Sequence, residues 1–330
     1  MVFESLKYSL IFHPAVKRME LRAEFTAVMI GSRINRGDEK SMIKWIKRTI
    51  YTLMILTGIL AGTGLLLMDS TLRHTMNPVM ISEAPPLPED LNGIQMQIRI
   101  GQDDGFVDGL FIDVPESEFV VLFCHDLDGN IYDRLEMIRR LKDLGVSVLA
   151  LDYRGFGISD PVEISDETFH TDLKKAYEAL RRRRFSASRI IVYGQGLSAG
   201  IQGELIKENQ CAAWIMDNPI LSLQDTTDHP IRRFLTVGRL SAYEALTTFH
   251  GPVMVCYDPE ETTSDTIETL QKIRPENITC PSPGQRTRDR MNTVDWQPWT
   301  DCMTGILKQL EPPDVPTPRI MKQPMEKTHE

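Results

Sequence analysis

Apolar and polar positions along the chain follow two alternating patterns, which predict strands and helices in turn. Short apolar runs are typical of strands buried in a sheet, whereas apolar residues recurring every three or four positions are typical of helices. The predicted strands are 94–100, 109–114, 119–125, 146–155, 189–194, 212–219, 251–258 and 276–280. The predicted helices are 133–145, 166–184, 199–209, 231–247 and 296–311. This alternation predicts an α/β fold, with a mostly parallel sheet and helices on both of its faces.

The helix predicted over 166–184 has a recognisable start. Asp166 is followed by polar residues and then by apolar residues at helical spacing. We therefore expect a capping box at Asp166, in which a side chain accepts a backbone N–H of the first turn.

The longest apolar run precedes the α/β pattern. Residues 49–68 contain no charged side chain, and a helix of that length would be about 30 Å long, enough to cross a bilayer core. Basic residues cluster between Lys40 and Arg48, so the positive-inside rule predicts a single-pass membrane protein with a cytoplasmic N-terminus. Everything after Met68 would then be extracytoplasmic. A cleaved signal peptide is the alternative, but no A-x-A cleavage site follows the run.

These patterns divide the chain into five predicted segments. They are a basic arm over 1–48, a transmembrane anchor over 49–68, a proline-rich linker over 69–93, an α/β domain over 94–312 and a disordered tail over 313–330. The net charge of −9 comes without a basic stripe, which argues against a nucleic-acid partner.

The cysteines show no metal or disulfide pattern. The chain has five, at 124, 211, 256, 280 and 302. The number is odd, and no two are spaced as C-x-x-C, so the sequence predicts isolated, mostly buried thiols. Neither a metal ion nor a cofactor is expected.

Several motifs follow the predicted strands in a definite order. They are FCHDLDGNIYDRL (123–135), DYRGFGISD (152–160), VYGQGLSAG (192–200), MDNPILSLQD (216–225) and GPVMVCYD (251–258). The first resembles the HGN-x-G-N segment, and the second the DYRG-x-G-x-S turn, of the α/β-hydrolase superfamily in its compact, membrane-anchored branch. The order of the pieces also follows that family. The resemblance covers about 94–312 and implies an α/β-hydrolase fold.

The resemblance also implies the chemistry of a serine hydrolase. That chemistry needs a nucleophilic serine on a tight turn between a strand and a helix, then an acid and a histidine further along the chain. The histidine takes the proton of the serine, the acid orients the ring, and two backbone N–H groups form an oxyanion hole.

The identity of the nucleophile depends on how VYGQGLSAG is aligned. Aligned without gaps to the G-x-S-L-G-G pattern of the family, the nucleophile position falls on Gly196, which has no side chain to attack with. Ser198 is then a small packing residue. With two extra residues between strand and turn, the spacing G-x-S-x-G instead makes Ser198 the nucleophile.

The acid and the base are weakly represented. By its place in the family, the acid is Glu261 or Asp258, just after GPVMVCYD. The base of the family follows the last strand, but residues 280–291 contain no histidine. His125 lies close to the edge of the predicted sheet at which the strands end. It is the remaining candidate for a substitute base.

The oxyanion loop is also altered. Asp126 and Leu127 replace the glycine and asparagine of the HGN segment, and Leu197 follows the nucleophile position. A carboxylate at 126 would oppose the negative charge that an oxyanion hole stabilises.

Together, these departures predict a catalytically degenerate hydrolase. The expected function is a membrane-anchored pseudo-hydrolase that acts as a binding or scaffold module, with a small acyl or peptide ligand. The alternative is an active serine hydrolase, of esterase, thioesterase or peptidase type, that uses Ser198.

Overall fold

A computed structural model describes most of the chain in two compact units. The described residues are 36–91, 93–99, 105–282 and 295–310. The units are Met1–Leu65 and Leu66–Glu330. Most of the predicted basic arm and the predicted tail from 313 on lie outside the described residues.

Helix α1, Arg36–Thr75, is the longest element and extends past the predicted start of the linker at 69. Its threonine hydroxyls bond to carbonyls one turn earlier, as Thr52 does to Arg48 at 2.9 Å. The anchor predicted over 49–68 is not supported. Among the described residues, no helix combines the length and the apolar character needed to cross a membrane.

An eight-stranded sheet forms the centre of the second unit. Its strands are β1 Gly93–Arg99, β2 Phe106–Ile112, β3 Val120–Cys124, β4 Ser147–Asp152, β5 Ile190–Gln195, β6 Ala213–Asp217, β7 Val253–Tyr257 and β8 Ile278–Pro281. The order across the sheet is β8-β7-β6-β5-β3-β4-β2-β1. The pairs β1–β2 and β2–β4 are antiparallel, and the others are parallel. The predicted α/β fold with a mostly parallel sheet is confirmed.

Both faces of the sheet are covered, which explains the continuous apolar runs. Along β3, Leu122 and Cys124 belong to one hydrophobic cluster, and Val121 and Phe123 belong to the other. Because every residue of β3 is buried, the strand has no polar face.

The helices after α1 differ in places from the prediction. They are α2 Leu135–Asp143, α3 Asp166–Arg182, α4 Ser198–Glu208, α5 Pro230–Leu235, α6 Tyr243–Thr248, α7 Ser264–Ile273 and α8 Gln297–Leu310. The single helix predicted over 231–247 is wrong, because positive φ angles at Gly238 (77°) and Leu240 (45°) interrupt it. Helix α7 was not predicted.

The capping box of α3 is also one residue away from its predicted place. Ser165, not Asp166, is the N-cap, and its hydroxyl accepts the backbone N–H of Thr168 at 3.2 Å. The Thr168 hydroxyl in turn accepts the Ser165 N–H at 2.8 Å. A threonine thus takes the place usually filled by Glu or Gln.

A buried ion pair joins the loop after β4 to α3. Arg154 donates from Nε to Asp172 Oδ1 at 2.7 Å, and from its backbone N–H to Oδ2 at 2.9 Å. Both side chains are almost fully enclosed. Burial raises the pKa of Asp172 from 3.8 to about 6, although the hydrogen bonds and charge of Arg154 favour the ionised form.

This pKa predicts a pH dependence of stability. Between the two values, folded Asp172 binds more proton than the unfolded residue, so its contribution to stability falls as pH rises from about 4 to 6. The unfolding free energy of the wild type, minus that of Asp172→Asn, should fall by about 2 kcal/mol between pH 4.5 and 7. Urea unfolding at stepped pH measures it; a difference that grows with pH would contradict the assignment.

Candidate functional site

The carboxyl ends of the central parallel strands meet at one edge of the sheet, here called the carboxyl edge. Cys124 of β3 pairs in register with Leu151 of β4 and with Gly194 of β5, and Gln195 pairs with Asp217 of β6. The residues that follow these strands are therefore neighbours. Ligands of open α/β sheets bind at this edge.

The turn after β5 has its apex at Gly196. Strand β5 ends at Gln195 and α4 begins at Ser198. Gly196 has a φ of 54°, in the left-handed region that favours glycine. Its N–H donates to the Asp217 carbonyl at 2.9 Å, and its carbonyl accepts the Ile220 N–H at 3.0 Å. The apex of the turn between β5 and α4 is therefore a residue without a side chain.

Ser198 is the first residue of α4 and does not stand at the apex of the turn. The residue has no exposed surface. Its hydroxyl donates to the backbone carbonyl of His125 and lies 3.0 Å from the Tyr153 hydroxyl. The side chain therefore joins α4 to the ends of β3 and β4, and a substrate has no direct access to it.

The Asp126 carboxylate fills the space beside Gly196. A Cβ added to Gly196 would lie 2.1 Å from Asp126 Cγ and Oδ2, and 2.3 Å from Oδ1. These distances are far below van der Waals contact. Asp126 thus occupies the space into which a nucleophile side chain would project.

Asp126 also accepts two backbone hydrogen bonds at this turn. Its Oδ1 accepts the backbone N–H groups of Leu127 at 2.8 Å and Leu197 at 3.0 Å. In α/β-hydrolases, the residue after the nucleophile and the loop after the third strand supply the two N–H groups of the oxyanion hole. The Asp126 carboxylate is itself hydrogen-bonded by these donors, and the expectation that its charge would oppose an oxyanion stays a prediction.

His125 is enclosed beneath this loop. Its Nδ1 lies 2.5 Å from the Asp126 backbone oxygen, and its Nε2 lies 3.0 Å from Asp152 Oδ1. The ring has no exposed surface and packs near Phe156, with centroids 5.6 Å apart. Both ring nitrogens thus face oxygen atoms of the protein. Ser198 contacts the backbone carbonyl of His125.

Asn218, which the sequence analysis missed, ties both candidate acids together. Its Nδ2 donates to Glu261 Oε2 at 2.8 Å and to Ser282 Oγ at 3.0 Å. Its Oδ1 accepts from the Asp258 N–H at 2.6 Å and from the Thr262 hydroxyl at 3.1 Å. Its φ of 44° is unusual for a residue other than glycine. The signal was a DNP sequence directly after a buried strand.

A second set of hydrogen bonds continues across the carboxyl edge. Asp217 accepts from Ser282 Oγ at 2.6 Å, Gln195 Nε2 at 2.9 Å and the Tyr193 hydroxyl at 3.1 Å. Gln195 in turn accepts from Arg134 Nε at 3.2 Å. Burial, and then the charge of Asp217, raise the pKa of Tyr193 well above its ordinary value. These polar groups hold one another in place.

The other described histidine side chains lie elsewhere. His170 on α3 lies 3.5 Å from Glu208, and His229 and His250 are exposed. His13, His329 and most of the predicted base loop, residues 283–291, lie outside the described residues.

Comparison with known proteins finds sequence similarity over about half of the chain. Residues 115–268 match a family model described as serine aminopeptidase, S33. Alpha/beta hydrolase domain-containing protein 17C of Mus musculus is 27% identical over 156 residues, 46% of this chain and 48% of the relative. Alpha/beta hydrolase domain-containing protein WAV2 of Arabidopsis thaliana is 31% identical over 176 residues, 51% of this chain and 57% of the relative. The chain spans about half the length of the curated relatives it matches.

Solved structures share the fold. The esterase Pf2001 of Pyrococcus furiosus superposes with a TM-score of 0.56 at 17% identity, over 71% of this chain and 99% of the esterase. An alpha-beta hydrolase from Vibrio vulnificus gives 0.55 at 15% identity, over 70% and 97%. At such low identity, the likeness concerns the fold alone.

Proposed function

Because the chain belongs to the α/β-hydrolase superfamily, we propose that it is a catalytically degenerate member, attached to a membrane, that acts as a binding or scaffold module. The observation that carries the proposal is the Asp126 carboxylate, which fills the space beside Gly196 and accepts both oxyanion-hole N–H groups.

Three requirements of serine-hydrolase chemistry are affected at once. Gly196 offers no nucleophile, the Asp126 carboxylate occupies the oxyanion donors, and the His125 ring is enclosed. In a serine hydrolase, loss of the nucleophile or the base alone costs on the order of 10⁶ in turnover. This combination supports a role that does not depend on turnover.

A cavity beside the carboxyl edge is the candidate ligand site. Its volume is about 410 Å³, within the range of small-molecule pockets. Pro219, Ile220 and Tyr243 line it together with carboxylates that include Asp225 and Asp265. This polar, acidic lining favours a peptide ligand over an acyl chain.

A fluorophosphonate probe tests the loss of catalysis. The full-length protein, shown to be folded by a cooperative thermal transition, is treated with the probe, digested and examined by mass spectrometry. We expect no labelled serine, and Ser198→Ala serves as the matched control. Labelling of Ser198 that disappears in the variant would overturn the proposal and establish the alternative, an active serine hydrolase that uses Ser198.

Ser198→Ala also has an expected effect on stability. The variant loses the buried hydrogen bond to the His125 carbonyl and the contact with the Tyr153 hydroxyl. We expect a loss of about 1–2 kcal/mol in the free energy of unfolding, measured by urea titration. Ser188→Ala, at an exposed position, should change it by less than about 0.5 kcal/mol. Equal effects of the two changes would contradict a bracing role for Ser198.

The proposed membrane attachment rests on the sequence of α1 and on its exposed side chains. The run 49–68 carries no charge, and Ile50, Leu53, Leu56 and Leu60 are exposed. A contiguous apolar surface is usually covered by a lipid or protein partner. On alkaline carbonate extraction of membranes, the full-length protein should stay in the pellet, whereas a Leu53→Asp, Leu56→Asp variant should be released. Release of the wild type would contradict the attachment.

The predicted orientation needs its own experiment. By the positive-inside rule, basic residues before the run at 49–68 favour a cytoplasmic N-terminus and an extracytoplasmic hydrolase-like domain, although no described helix has the apolar character needed to cross a membrane. In sealed vesicles of cytoplasm-outside orientation, protease should remove an N-terminal tag and spare the domain. Degradation of the domain would contradict this orientation.

A further inference from the structure

Three cysteines that are distant in the sequence converge at the terminal strand of the sheet. Cys256 of β7 and Cys280 of β8 are paired in register, and their Sγ atoms are 2.9 Å apart. Cys302 of α8 packs against the hydrophobic cluster that contains both of them. The expectation of isolated thiols is therefore wrong for this group, because strand order brings together residues that sequence spacing separates.

The surroundings of the pair are apolar. Cys256 and Cys280 are buried in one cluster with Trp299 and Met303, whereas Cys302 is partly exposed. Burial raises the pKa of Cys256 well above its ordinary value, and that of Cys302 to about 11. A thiolate is therefore disfavoured here, whereas a neutral disulfide suits the same surroundings.

We propose that Cys256 and Cys280 form a disulfide, and that Cys302 is the thiol through which a small-molecule disulfide such as oxidised glutathione reaches them. Neighbouring strands lie about 4.8 Å apart. This separation falls within the Cα distances of about 4.4–6.8 Å that a disulfide bridges.

The exchange proceeds in three balanced steps. The minor thiolate form of Cys302, which is the most exposed of the three thiols, attacks one sulfur of oxidised glutathione and releases one glutathione thiol. Cys280 then attacks the Cys302 sulfur and releases the second glutathione thiol. Cys256 finally attacks the Cys280 sulfur and returns Cys302 to its thiol form. Overall, Cys256 and Cys280 give up two electrons and two protons, which reduce one glutathione disulfide to two thiols.

The disulfide would act on the carboxyl edge. Strand β8 ends one residue before Ser282, whose hydroxyl donates to Asp217 at 2.6 Å. A covalent link at Cys280 would fix the strand that carries Ser282 to β7. Oxidation would therefore stiffen the side of the carboxyl edge that holds Asn218 and Glu261.

Mass spectrometry tests the proposed disulfide directly. The full-length protein is incubated with oxidised glutathione or with dithiothreitol, its free thiols are blocked under denaturing conditions, and it is digested without reduction. We expect a linked pair of peptides containing Cys256 and Cys280 only after oxidation, with Cys302 blocked. Oxidised protein in which Cys256 and Cys280 are both blocked, or glutathione remaining on Cys302 as the end product, would overturn the proposal.

Variants and melting temperatures test the route and the effect. Cys302→Ser should form the same link about tenfold more slowly, and Cys211→Ser, at another partly exposed cysteine, should react as the wild type does. An unchanged rate in Cys302→Ser would overturn the relay. Oxidation of the wild type should raise Tm by about 5 °C, reversibly, as expected for closing a loop of this length.

Discussion

Gly196→Ser is expected to destabilise the protein by about 3 kcal/mol or more, without giving it hydrolase activity. The added Cβ would lie 2.1 Å from the Asp126 carboxylate, and that carboxylate is held by two backbone N–H groups. The φ of 54° adds a strain of about 1–2 kcal/mol for a residue with a side chain. Urea unfolding of the two proteins measures the loss.

A second substitution separates the clash from the strain. In a double-mutant cycle, Asp126→Gly should recover most of the cost of Gly196→Ser, with a coupling of about 2 kcal/mol. Gly238→Ser is the matched control, because Gly238 also has a positive φ but nothing lies within 4 Å of an added Cβ. Additive single effects, or equal costs for the two glycine changes, would show that Asp126 does not fill the position.

The double variant should still fail to react with a fluorophosphonate. It supplies a hydroxyl and vacates the oxyanion hole, but the His125 ring remains enclosed between Asp152 and the Asp126 backbone. Among the residues that the structure describes, the new serine then has no accessible base to accept its proton. Labelling of the introduced serine in this variant would show that the base is supplied by a group outside the described residues.

Asn218→Ala should cost about 4 kcal/mol, because the side chain holds three strands together through hydrogen bonds. Alanine leaves the Asp258 N–H and the Glu261 carboxylate without this partner, and keeps the strain of the 44° φ. Asn218→Gly removes the same bonds and relieves the strain, so it should be about 1 kcal/mol less costly. Urea unfolding compares the three proteins.

Asn209→Ala provides the comparison for this prediction. Asn209 makes one side-chain hydrogen bond, to the Leu205 carbonyl at 3.2 Å, at the end of α4. Its loss should cost about 1 kcal/mol. If Asn218→Ala costs no more than Asn209→Ala, the hydrogen bonds of Asn218 do not hold the carboxyl edge together.

Much of the fold could be predicted from hydrophobic patterning. Strands buried on both faces, such as β3, are continuous apolar runs. Such runs are short and are bounded by turn residues, so they can be recognised in the sequence. The break between α5 and α6 could not be predicted in this way. It depends on a left-handed Leu240, and Ile231 and Phe234 of α5 are exposed although their spacing suggests a buried face.

The site could be predicted only in part, because its main features depend on the directions in which side chains point and on the order of the strands in the sheet. The gap-free alignment of 192–200 gave Gly196, and the HGN segment gave Asp126, but the spacing of the sequence carries no information on which donors a carboxylate meets. Asn218 and Ser282 are 64 residues apart and become neighbours only when β8 pairs beside β7. Helix α7 was detectable, since Ile267, Leu270 and Ile273 recur at helical spacing.

The position of Asp126 also bears on how this lineage can evolve. Under the proposed loss of catalysis, a gain of activity would need changes at both 126 and 196, and each change alone is harmful. A serine at 196 collides with the carboxylate, and removal of the carboxylate from 126 leaves the Leu127 and Leu197 N–H groups without this acceptor. A domain with only about 5–15 kcal/mol of stability tolerates few such intermediates. On the proposed loss of catalysis, the mutational path to an active hydrolase therefore crosses a fitness valley, and the loss would behave as a ratchet.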